Sequence, residues 1–137
     1  SSSIKKIIYR NKQIFKLGFK KDIRPFLAVS DCLVLPSYRE GFPNVVLQAG
    51  SMQVPSIVSN INGCNEIITN GKNGLLIKPK DQESLYLAME KILLDLKFRK
   101  SLAKPARVNI IRNYRRDKFH KEILALYSNL KKQNFKQ

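Results

Sequence analysis

The chain is poor in the side chains that do chemistry by themselves. It holds one histidine, His120, and no tryptophan. His120 falls on the polar side of a C-terminal helical pattern without a placed partner, so no Ser–His–Asp or Cys–His nucleophile is supported. Cys32 and Cys64 show neither C-x-x-C spacing nor a neighbouring histidine, which argues against a metal centre. Two cysteines cannot staple a domain of this size, and a reducing compartment suits them better. Cys32 reads as a core residue and Cys64 as a loop thiol. No P-loop and no G-x-G-x-x-G fingerprint occurs. No apolar run nears the roughly 18 residues that span a bilayer. The start, Ser1-Ser2-Ser3-Ile4-Lys5-Lys6, has no Met and no apolar signal core, and reads as a cut end. Acids are scarce as well: 10 Asp and Glu stand against 26 Lys and Arg, a net charge of +16.

Enough remains for one folded domain. Apolar residues make up 43% of 137, sufficient for a real core and against general disorder. The positive charge is uneven. From Lys97 onward there are 13 Lys or Arg and two acids, Asp117 and Glu122, so this basic tail (about 97–137) carries +11. Such a bias suits an anionic partner: nucleic acid, a phosphorylated substrate or an acidic membrane surface. A merely solvated, Lys-rich helical surface explains it equally well.

Four short apolar runs, 13–17, 32–35, 55–59 and 74–78, are β-like and separated by helix-sized intervals. Near-continuous apolar strands fit a parallel sheet buried on both faces. Between them lie helix candidates. One spans 22–30 with Asp22 as N-cap. Another spans 44–53 with Val45, Val46, Ala49 and Met52 on its apolar face, and a turn or two covers 65–69 before Asn70-Gly71. The expected fold is α/β: a Rossmann-like, doubly wound parallel sheet of about four strands with a helical C-terminal segment. That segment starts with Asp81 as N-cap of a helix bearing Leu85, Met89, Ile92, Leu93 and Leu96 on one face. A second helix runs over 98–114 with a kink or break at Pro105. A third follows Asp117, with Phe119, Ile123, Leu126, Tyr127 and Leu130 at helical spacing. These stripes read as core, and the end frays from about Lys132.

Chemistry is then left to the loops at the carboxyl ends of the strands, where open α/β sheets bind ligands. In Arg39-Glu40-Gly41-Phe42-Pro43-Asn44, a carboxylate, a glycine and a proline stand where a strand hands over to a helix. Gly41 lets backbone N–H groups approach a ligand, and the helix start offers unpaired N–H groups and a positive dipole end to a diphosphate. Glu40 can accept hydrogen bonds from sugar hydroxyls. Gln48, one turn into the helix, can reach a second polar part of the same ligand. Spacing alone leaves plain loop and turn roles for Glu40 and Gly41 equally open.

Over about residues 13–127 the chain resembles the donor half of family-4, GT-B-fold glycosyltransferases. The resemblance is carried by Phe15-Lys16-Leu17-Gly18-Phe19, by Ser30-Asp31-Cys32-Leu33-Val34-Leu35-Pro36-Ser37, by the Glu40 motif, by Pro55-Ser56-Ile57-Val58-Ser59 and by Asn73-Gly74-Leu75-Leu76-Ile77. It implies that Glu40 binds the donor sugar, with the backbone of Gly41, Phe42, Pro43 and Asn44 against sugar or diphosphate. It implies that Gly18, Phe19 and Lys20 lie near the nucleotide base. The family's second motif glutamate, which grips the ribose, is replaced here by Gln48. An amide keeps one acceptor and loses the charge, so a bidentate, charge-assisted grip is not available. The family's Gly-rich turn and basic pair have no match before residue 13.

The resemblance therefore implies a single, partial C-terminal donor-binding domain over residues 1–137, its N-terminal acceptor domain missing. The parent would transfer a sugar from a nucleotide diphosphate-sugar to a glycan or lipid-linked acceptor, with retention at the anomeric carbon. No cofactor and no metal are expected. A cytoplasmic location is expected, and the charge of the basic tail alone suggests a peripheral place on the inner face of the membrane, with an anionic surface as partner. This chain alone is expected to be inactive. Two rivals stand: a basic α/β module that binds nucleic acid or another anion, and a catalytically dead homologue. The first lacks interleaved stacking aromatics, so no specific nucleic acid is expected. Gln48 keeps the second open.

Overall fold

The computed structural model describes residues 2–134. In chain order the elements are α1 (Ser2–Arg10), α2 (Arg24–Ala28), β1 (Leu33–Leu35), α3 (Asn44–Ser51), β2 (Ser56–Ser59), α4 (Cys64–Ile67), β3 (Gly74–Ile77), α5 (Gln82–Leu94), α6 (Leu96–Asn113) and α7 (Arg116–Asn134). The sheet is parallel in the order β1-β2-β3, with Val34 opposite Ile57 and Ile57 opposite Leu75. Its central strand is buried throughout, as a strand covered on both faces must be.

Alternation along the strands divides the core in two. On one face Val58 packs with Val46 of α3, Cys64 and Ile67 of α4, and Ile68. On the other, Ile57 and Ile77 pack with Ile92 of α5 and Leu102 of α6. Helix α6 serves both faces, because Ile110 and Tyr114, further along its course, lie against the first cluster. A β-carbon at Gly50 would stand 2.8 Å from Ile110 Cγ1, so glycine is what lets α3 and α6 approach. Leu27 of α2 joins Ala49 and Val54 in a smaller cluster.

Several expectations change. Residues 13–17 form no strand and are exposed, so the sheet has three strands, not four. An apolar run becomes a strand only where a neighbour offers backbone partners, and 13–17 pairs with neither edge of the described sheet. Helix α1 precedes it, where no element was expected. Asp22 is not the N-cap of α2; that residue is Ile23, while Asp22 accepts from the Arg24 N–H at 2.9 Å. Asp81 does cap α5, accepting from the Ser84 N–H at 3.0 Å. The buried stripe of α5 is Leu85, Ala88 and Ile92, and Met89, Leu93 and Leu96 face outward. Pro105 lies inside an unbroken α6. Cys64 is no loop thiol but the fully buried first residue of α4.

The tail divides. Helix α6 is packed, but the stripe on α7 is not core: Phe119 is 61% exposed, Leu126 59% and Tyr127 67%. Residues 132–134 continue α7, and the rest of the expected frayed end lies outside the described residues.

Candidate functional site

Three loops leave the carboxyl ends of the strands, and the first two are locked together. After β1 the chain runs to Pro43, which is buried and extended at φ −76° and ψ 100°, then enters α3. Ser37 Oγ donates to Glu40 Oε1 at 2.6 Å, which fixes the half-buried carboxylate at the mouth of the loop. After β2, Gly63 sits at φ 79° against Gly41: a β-carbon there would stand 2.1 Å from the Gly41 carbonyl oxygen. Only glycine fits both the backbone angle and the space. Glu66 Oε1 accepts from the Gly63 N–H at 3.1 Å and holds the second loop in place. The Cys64 thiol beneath is pushed above its usual range, first by burial and then by the charge of Glu40.

The end of α6 braces this pair from behind. Tyr114 donates its hydroxyl to the Glu66 carbonyl at 2.7 Å, and its ring meets that of Phe42 at 5.6 Å between centroids. Phe42 is still 44% exposed, so its ring meets Tyr114 on one side and solvent on the other. Asn44, exposed on the first turn of α3, borders a cleft with Phe42, Leu47, Tyr114 and Phe119.

No side chain caps the start of α3. The Val46 N–H goes to the Pro43 carbonyl at 3.0 Å, and the N–H groups of Asn44 and Val45 keep their capacity for an anion. Gln48, four residues on from Asn44 and so about 6 Å along the axis, opens into a separate cleft. Phe19, Lys20, Asp22, Arg24 and Met52 complete its walls. Phe19 lies almost fully in solvent, 93% exposed. Arg24 holds Asp22 in a fork, with Nη2 at 2.8 Å, and these hydrogen bonds lower the Asp22 carboxyl to about 2. Gly18 turns the chain just ahead of this cleft at φ 65°.

The structure thus gathers Phe19, Lys20 and Gln48 in one cleft and Phe42 and Asn44 in another; Glu40, Gly41 and Pro43, in the loop that enters α3, line neither. His120 is exposed on α7. Among the described residues no three His, Cys, Asp or Glu side chains group as metal ligands, and no helix is long and apolar enough to cross a membrane. Sequence reasoning missed the Gly63–Gly41 contact and the Tyr114 brace. Nothing local signals either, since both join segments distant along the chain.

The family model described as "Glycosyl transferases group 1" matches residues 2–109. The chain belongs to this family.

Among group 1 glycosyl transferases, it is 37% identical over 116 residues to UDP-Gal:alpha-D-GlcNAc-diphosphoundecaprenol alpha-1,3-galactosyltransferase of Escherichia coli, covering 85% of this chain and 30% of that one. It is 42% identical over 90 residues to N,N'-diacetylbacillosaminyl-diphospho-undecaprenol alpha-1,3-N-acetylgalactosaminyltransferase of Campylobacter jejuni, covering 66% of this chain and 24% of that one. HepE of Anabaena, solved with UDP-glucose, superposes with a TM-score of 0.87 at 21% identity, over 93% of this chain and 36% of that one. That likeness shows the fold. The chain spans roughly a quarter to a third of the length of these proteins.

Proposed function

We propose that this chain is the nucleotide-sugar-binding part of a longer glycosyltransferase. The parent moves a sugar from a nucleotide diphosphate-sugar to a glycan or lipid-linked acceptor of the polysaccharide, O-antigen or capsule type. One observation carries the reading: Phe19, Lys20 and Gln48 share a cleft one helical turn from the start of α3, which no side chain caps. The aromatic ring offers a stacking face to a base. Gln48 offers one neutral contact to a ribose. The α3 N–H groups face a diphosphate and stabilise it as it leaves, with no metal in the scheme. Glu40, held by Ser37, accepts from hydroxyls of the transferred sugar. Transfer proceeds with retention. The basic tail draws the enzyme to the anionic inner face of the membrane from the cytoplasm. The names of the two relatives support a lipid-linked acceptor, since each acts on a diphosphoundecaprenol sugar.

Titration of the labelled 137-residue chain with UDP tests the donor reading. Amides of Phe19, Lys20, Gln48 and the Glu40–Asn44 loop should shift saturably, with Kd near 1 mM, about −4 kcal/mol. Shifts confined to residues after Lys97 would reject it in favour of a general charge effect. In the longer protein, Glu40→Ala should cost roughly tenfold to hundredfold in kcat, as for loss of a charged acceptor worth about 1.5–3 kcal/mol. Gln48→Ala should cost less and act on KM. For the membrane, sedimentation with anionic vesicles should be strong at low salt, and neutral vesicles should not bind.

A further inference from the structure

A third cleft lies at the carboxyl edge of the sheet, apart from both Glu40 and the Gln48 cleft. The ends of all three strands meet there. Tyr38 from the loop after β1, Ser59 at the end of β2, and Lys78 and Lys80 after β3 form its walls, with Gln82 in the first turn of α5. It is basic: Lys78 and Lys80 line it, beside the phenol of Tyr38 and the amide of Gln82. The one carboxylate, Asp81, is engaged in capping α5 through the Ser84 N–H at 3.0 Å.

Lys80 is held in an unusual way. Its backbone takes φ 61°, a left-handed angle that a residue with a β-carbon rarely adopts. The Asp81 N–H reaches the Lys78 carbonyl at 3.3 Å and closes the turn around it. The result places the Lys80 ammonium 5.6 Å from the centroid of the exposed Tyr38 ring. A cation over an aromatic face in open solvent is only weakly held, so an anion entering the cleft can take the ammonium in a stronger, charge-assisted bond. Strain of this kind is commonly kept at binding sites.

We propose that this cleft is a second ligand site, taking the phosphate group of a phosphorylated sugar. Lys78 and Lys80 pair with the phosphate, and Tyr38, freed of the ammonium, offers its ring to the sugar. The saccharide part of the proposal rests on the sugar-transferring function above; the phosphate part does not.

The test is an NMR titration of the 137-residue chain with glucose 1-phosphate, inorganic phosphate and UDP, all at one ionic strength. Glucose 1-phosphate should shift the amides of Tyr38, Lys80 and Gln82 saturably, and bind at least threefold tighter than inorganic phosphate. The Lys78→Gln, Lys80→Gln double variant should lose at least tenfold in affinity for it, while the UDP response at Phe19 and Gln48 stays unchanged. Lys80→Gly relieves the backbone, so it should keep or raise the unfolding midpoint and still weaken the phosphate response. Equal affinity for the two phosphates would overturn the sugar assignment. Shifts spread over the basic tail, or indifferent to the double variant, would overturn the site. Loss of the UDP response with this cleft still responding would fault the donor reading alone.

Discussion

Helices α6 and α7 are neighbours in sequence, of similar length and both basic, yet they meet opposite fates. Leu102 of α6 is fully buried between β2, β3 and α5, and Ile110 closes on Gly50 of α3. On α7, Phe119, Leu126, Tyr127 and Leu130 recur at the same helical spacing and remain in solvent. Periodicity reports that a helix has an apolar side. It does not report whether anything covers that side. The difference lies in what each helix passes over: α6 packs on β3 and, at Gly50, on α3, and α7 starts beyond both.

The sharpest way to break this contrast is to truncate one leucine in each helix. Leu102→Ala should cost about 2–5 kcal/mol of stability, the range for a buried leucine whose site cannot collapse. Leu130→Ala should stay within about 0.5 kcal/mol. Urea unfolding of both variants measures this, and equal losses would mean that α7 is packed after all. The same logic applies to two glycines with positive φ. Gly63→Ala combines a left-handed angle with a collision against the Gly41 carbonyl and should cost about 3 kcal/mol. Gly18→Ala has the angle but open space around it, and should cost about 1 kcal/mol. A similar cost at both would show that the two loops do not touch.

Helix starts offer a finer comparison. Asp81→Ala removes a side-chain cap from the packed α5 and should cost about 1 kcal/mol. Asp117→Ala, in the first turn of the exposed α7, loses an exposed pair with Arg115 and should leave the urea midpoint nearly where it is, because α7 is not part of the core. The smallest stability effect is expected from Leu126→Glu combined with Leu130→Glu. It should lower the fluorescence of a bound apolar dye without moving Tm, because the stripe is already open. A fall in Tm would show that the stripe is buried in solution.

Much of this was readable beforehand, and for a common reason. Val46 and Ala49 on α3, the Asp81 cap and the three paired strands each follow from local spacing plus burial. What failed depended on neighbours. Residues 13–17 have strand-like composition, but no described strand lies beside them. Met89 and Leu93 looked like core because they are apolar at helical spacing, while the face that meets the sheet is one residue round, at Leu85, Ala88 and Ile92. Pro105 signals a kink or break, and the helix runs on through it without a break. For the site, the Glu40 motif and the Phe19–Lys20 segment were marked by residue type and by family resemblance. Tyr38 lay inside the same loop without a role, because its partner Lys80 arrives from a turn 42 residues later.

The path of α6 over both faces of the sheet has a consequence for how the domain comes apart. One rod seals two cores: Ile110 leans on the first and Leu102 plugs the second. If α6 lifts, water reaches both at once, so neither can persist as a separate subdomain. Amide exchange of β2 and of α3 should then proceed through a single opening event, with one shared free energy rather than a graded ladder. The helix start proposed to face the diphosphate would be lost in that same event, and ligand bound there would raise exchange protection across the whole sheet rather than near the loop alone.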